Sequence, residues 1–70
     1  MLHMTPWERS ALQLLADGKT TNEVAHQLRS NTREVEMHLE TLFARMGAAN
    51  RGEAIAAAIR RGLLSFDERP

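Results

Sequence analysis

The sequence predicts an all-α domain, a four-helix helix-turn-helix unit within a chain of 70 residues. Three observations predict it. Thr or Asn stands three residues before Glu at Thr5/Glu8, Thr20/Glu23, Asn31/Glu34 and Asn50/Glu53. Each pair fits a capping box or its Asn-led analogue: the first side chain accepts from an orphan helix N–H, and the Glu reaches back to the cap. Gly18, Gly47 and Gly62 fall where a helix end needs a left-handed residue. Finally, no stretch carries the period-two alternation of a strand.

The first helix is expected from about Pro6, a residue suited to the first helical position, to Ala16. Ala11, Leu12, Leu14 and Leu15 supply its buried face. The second is short, Thr21 to Leu28, with Val24, Ala25 and Leu28 inward. Arg29-Ser30-Asn31 forms a tight turn into the third, and two helices joined this closely make a helix-turn-helix. The third helix, 31–46, keeps Val35, Leu39, Leu42 and Met46 on one stripe and turns Arg33, Met37, Glu40, Thr41 and Ala44 the other way. That outward face is the natural reading surface of a small helical domain, yet Glu36 and Glu40 put carboxylates where a DNA reader usually carries cations. The fourth helix, 51–61, is so poor in polar residues from Ala54 to Ile59 that a second, exposed apolar face is expected beside the core face. The domain spans 4–64, with 1–3 and 65–70 as flanking ends. Met1 to Met4 is expected to be frayed or lightly docked, and Ser65 to Pro70 solvated.

Composition narrows the function classes. A domain this small buries only about 60% of its unfolded surface, so no large catalytic cleft is expected. With no cysteine there is neither a disulfide framework nor cysteine-ligated zinc. No apolar run is long enough to span a bilayer and no signal peptide is recognisable, so a soluble cytoplasmic protein is expected. Nine Lys and Arg balance nine Asp and Glu, which removes the bulk electrostatic argument for a nucleic-acid partner. Distribution matters more. Residues 31–46 hold Arg33 and Arg45 against Glu34, Glu36 and Glu40, whereas Gly47 to Leu64 hold Arg51, Arg60 and Arg61 against Glu53 alone.

The ordered set Thr5-Pro6, Glu8-Arg9, Leu12, Leu14-Leu15-Ala16, Gly18, Glu23-Val24-Ala25, Leu28, Val35, His38, Gly47, Asn50-Arg51 and Glu53-Ala54 resembles the LuxR/FixJ-type (GerE-like) helix-turn-helix. The resemblance runs from about Met4 to Leu64. It implies a DNA-binding domain of bacterial transcription regulators, whose third helix enters the major groove and whose fourth commonly forms the dimer contact. Such domains usually follow a sensor or receiver domain, so a stand-alone regulator or a detached output domain is expected. The departures are informative. Asn31-Thr32-Arg33-Glu34-Val35 replaces the usual Ser-x-x-Thr-Val, Trp7 stands where Arg is common, and Ser30 where an aliphatic residue is usual. Glu36, Met37 and Glu40 match positions that in family members often contact bases, frequently through Lys or Arg at the first and last.

Two readings follow. In the first, a sequence-specific DNA-binding regulator acts as a dimer on double-stranded DNA through Thr20, Thr21, Asn31, Thr32, Arg33, Glu36, Met37, Glu40, Thr41, Arg45 and Arg51. Arg33, Arg45, Arg51, Thr20, Thr21 and the helix N-termini would hold phosphates. A bidentate cation on guanine is worth roughly 1–3 kcal/mol, and both opportunities are missing, although a carboxylate can accept from the cytosine amino group. A carboxylate about 4 Å from a phosphate is repelled by about 1 kcal/mol in water and about 4 kcal/mol at an effective dielectric near 20, which weakens binding. Ala56 and Ala57 allow close approach of a second helix, which places a homodimer interface on 51–61 with Arg60 and Arg61 at its end. Arg60-Arg61 also complements the helix dipole. In the second reading the fold is a protein-interaction module that has lost DNA affinity and pairs with a homologous regulator through the same helix.

An enzyme is not expected, and neither is a cofactor, metal or membrane partner. Glu34 and His38 lie one turn apart but lack a third ligand, so His38 reads as a partly buried packing residue. Glu36 and Glu40 have no partner base and read as a solvated face rather than an acid pair. Trp7 reads as a core or edge anchor. Met37 suits adaptable contact with a thymine methyl or a protein groove.

Overall fold

Each helix starts where its capping residue puts it. A computed structural model describes residues 4–64 and contains α1 (Pro6–Ala16), α2 (Thr21–Gln27), α3 (Thr32–Met46) and α4 (Arg51–Arg60). The expectations for 1–3 and 65–70 lie outside the described residues. No strand occurs among the described residues.

The two Thr-led starts are complete capping boxes. Glu8 N–H donates to Thr5 Oγ1 at 3.1 Å and Thr5 N–H donates to Glu8 Oε1 at 3.0 Å. The same pair of bonds joins Thr20 and Glu23, at 3.1 and 2.8 Å. The Asn-led starts are half-boxes. Asn31 Oδ1 accepts from Glu34 N–H at 2.8 Å, but the Glu34 carboxylate takes the Ser30 hydroxyl at 3.4 Å. Asn50 Oδ1 accepts from Glu53 N–H at 3.0 Å, and Glu53 accepts from Ala49 N–H at 2.8 Å, one residue before the cap. Asn carries its acceptor one bond farther out than Thr, and in both cases the Glu finds a neighbouring donor.

The helix ends reuse one closing device, in which two N–H groups beyond the helix bond back to its last turn. After α1, Gly18 N–H reaches Leu15 O and Lys19 N–H reaches Leu14 O, both at 3.0 Å. After α2 the left-handed residue is not glycine. Arg29 has φ 57°, with its N–H on His26 O at 3.4 Å and Ser30 N–H on Ala25 O at 2.8 Å. Left-handed backbone costs an L-residue about 1–2 kcal/mol. The turn accepts that cost because it must redirect the chain from α2 into α3 within a few residues, and it ends α2 at Gln27, one residue before the expected Leu28.

The apolar stripes converge on a core of Ala11, Leu12 and Leu15 from α1, Val24 and Ala25 from α2, Val35, Leu39 and Leu42 from α3, Ala54 and Ala58 from α4, and Leu64. Both α1 and α3 touch every other helix, so the third helix is embedded by its inner stripe and offers only its outer face. Leu14, Leu28 and Met46, expected inside, are half-buried against this core. The second apolar face expected on α4 is narrow. Ile55 and Ile59 are half-buried and pack on the core, which leaves Ala56 exposed and Ala57 half-buried. Among the described residues, Met37 is the one large apolar side chain left exposed, at 61%. No helix among them is long and apolar enough to cross a membrane.

Candidate nucleic-acid interface

The two helices of the helix-turn-helix are tied by side chains as well as by the core. Thr21 Oγ1 donates to Glu36 Oε2 at 3.5 Å, and the Thr32 hydroxyl donates to Asn22 Oδ1. The outer face of α3 then presents Arg33, Glu36, Met37, Glu40 and Thr41, all exposed. Beside it runs a groove lined by Thr21, Glu36, Glu40 and Arg51 over a floor of Leu15, Leu39 and Phe43. Three helices therefore bring candidate residues to one place: the start of α2, the middle of α3 and the start of α4. Thr20 and Asn31 are exposed and act as helix caps. Thr41 turns its hydroxyl back onto Met37 O at 3.1 Å, so its proton is used within the helix. Ala56, Arg60 and Arg61 are exposed on and just after α4.

Arg45, expected among the phosphate-binding residues, has a partner within the fold. Its Nη2 donates to Glu8 Oε2 at 2.7 Å, making an ion pair with a side chain that is only 10% exposed. The guanidinium is therefore directed to α1, and its charge is spent on a buried carboxylate. Glu8 was legible only as the back-reaching member of a capping box; its burial was not. The missing signal is spatial. Trp7 and Glu8 are consecutive on α1, and they meet His38 and Arg45, which lie seven residues apart on one flank of α3. The Trp7 and His38 rings are 4.9 Å apart at 48°. His38, expected to be partly buried, stays exposed while leaning on the indole.

Burial pushes the Glu8 carboxyl up, but the Thr5 N–H, the Arg45 hydrogen bond and charge, and the Thr5 hydroxyl outweigh it, leaving it below its ordinary value of 4.5. A lowered folded-state value means that the stabilisation is fully present above the unfolded value and is lost as pH falls through the folded one. E8Q is expected to melt lower than the parent at pH 7 and to lose less on acidification below pH 4.5. Thermal melts of both proteins at pH 7 and pH ~3 check this, and parallel pH profiles would contradict it. The Thr20 N–H, and then its hydroxyl, lower the exposed Glu23 carboxyl in the same way.

The model of the GerE family, bacterial regulatory proteins of the luxR type, matches residues 2–58. This chain belongs to the luxR family. Three relatives of the luxR-family chain illustrate the range. The response regulator Rre1 of Synechocystis is 37% identical over 62 residues, covering 89% of this chain and 27% of Rre1. The transcriptional activator protein BjaR1 of Bradyrhizobium diazoefficiens is 36% identical over 62 residues, covering 89% of this chain and 26% of BjaR1. The spore germination protein GerE of Bacillus subtilis is 31% identical over 63 residues, covering 90% of this chain and 85% of GerE. The luxR-family chain thus spans about a quarter of the length of Rre1 and BjaR1 and most of GerE. No solved structure matches significantly.

Proposed function

We propose that this domain is a DNA-binding transcriptional regulator that lays the outer face of α3 in the major groove of double-stranded DNA. The observation that carries the reading is the exposed α3 face, flanked by the starts of α2 and α4, in a member of a family of regulatory proteins. Glu36, Met37 and Glu40 face base edges. Arg33, Arg51, Thr20 and Thr21, with the N-termini of α2 and α3 beside Asn31 and Thr32, hold phosphates. Thr41 packs along the same face, and Arg45 contributes by fixing α3 on α1. The likeness to the transcriptional activator protein BjaR1 supports a role in transcription, and we place that role in the cytoplasm.

A homodimer forms across α4. Ala56 lets a second backbone approach closely, Ala57 lines the same side, and Arg60 and Arg61 sit at the end of the contact; a homologous regulator would fit the same surface. Sedimentation that finds only monomer at high concentration removes this element. The DNA reading is tested by fluorescence anisotropy against pooled genomic fragments at low salt. Binding that weakens with added salt is expected. No binding at protein concentrations in the tens of micromolar discards the reading.

A further inference from the structure

The acidic outer face of α3 has a definite consequence for which bases it accepts. Glu36 and Glu40 are both exposed, one helical turn apart, and neither is in an ion pair with a described residue. The Glu36 carboxylate is steadied by the Thr21 hydroxyl at 3.5 Å. Met37, next to Glu36 in the chain, is 61% exposed. Four residues of helix rise about 6 Å, which matches roughly two base-pair steps of about 3.4 Å each.

An ionised carboxylate only accepts hydrogen bonds. On the major-groove edges, guanine shows two acceptors, and thymine an acceptor and a methyl group. Both therefore oppose a carboxylate. Adenine shows an amino donor beside the N7 acceptor, so one carboxylate oxygen gains a bond while the other meets a lone pair. Cytosine shows its amino donor with no neighbouring acceptor in that groove. It is the base whose edge matches a carboxylate without a clash. A flexible thioether beside such a contact is matched by a methyl group rather than by a polar edge.

Resting on the DNA-binding reading above, we infer that this domain selects sites with cytosine opposite Glu36 and Glu40, about two base pairs apart, and a thymine methyl near Met37. The preference is of opposite sense to that of a cation at these positions, which would select guanine on the same strand. Glu36 and Glu40 are then specificity-determining residues rather than a solvated face. Charge repulsion from the backbone lowers affinity for all sequences, so base selection carries a larger share of the discrimination.

The test is selection from a randomised duplex library with the parent chain, E36Q and E40Q, each checked for unchanged helix content. The parent is expected to enrich cytosine at two positions. Because glutamine pairs bidentately with adenine, each variant should shift one position from cytosine to adenine and leave the other unchanged. In anisotropy titrations, replacing either cytosine by guanine should weaken the parent by about 10-fold or more. Enriched sites without cytosine, or base preferences that do not move in the variants, overturn the inference while DNA binding stands. Failure of all three proteins to bind any duplex at low salt overturns the DNA-binding reading itself.

Discussion

Replacing Leu42 by alanine is expected to destabilise the domain by about 2–5 kcal/mol, the cost of a buried leucine deletion with its residual cavity. Leu42 has no exposed surface and lies on the helix that touches all three others, so little can collapse to fill the space. A chain of this size holds on the order of 4–10 kcal/mol of total stability. The substitution therefore removes from about a fifth to essentially all of it. Since roughly 1 kcal/mol moves the midpoint of a domain this small by about 4–8 °C, the melting temperature should fall by at least about 8 °C. Circular dichroism melts measure the change, with M37A as the control. Met37 is 61% exposed and its truncation should alter the midpoint little. Equal shifts in the two variants would mean that α3 is not seated on its Val35, Leu39 and Leu42 stripe.

Charge reversal of the outer face has the second large effect. E36K/E40K replaces two exposed carboxylates with two ammonium groups. Each cation brought into the groove neutralises at most about one phosphate, worth about 0.9 in the magnitude of the salt slope, so the double variant should steepen the log-affinity plot by up to about two. Loss of two repulsions of about 1 kcal/mol each in water should raise affinity for arbitrary duplexes at low salt by about tenfold or more. Anisotropy titrations across a salt series read both quantities. An unchanged slope would contradict the placement of this face against DNA.

The helices were legible because their signals are local. A Thr or Asn and a Glu three residues on mark a start in any context, and the residues Val35, Leu39 and Leu42 find the core because helix period alone puts them on one stripe. The α2 end was less legible. Nothing in the residue type of Arg29 announces a left-handed backbone; the geometry of the α2–α3 turn imposes it. The partnership of Glu8 with Arg45 was hidden for a different reason. The two are separated by 37 residues, and only the docking of α1 on α3 makes them neighbours. Within the candidate interface, the exposure of Arg33, Glu36, Met37 and Glu40 follows from periodicity, whereas the arrival of Arg51 beside Glu36 and Glu40 depends on where the fourth helix begins.

The Trp7–His38 contact makes the chain its own optical probe. The sequence contains one tryptophan and no tyrosine, so near-ultraviolet excitation above the phenylalanine band is absorbed by a single indole. That indole touches a residue flanked in the chain by Met37 and Leu39, one facing out and the other in. Its emission colour and quenching therefore follow the seating of the reading helix, and a titration with nucleic acid can be watched without attaching a dye.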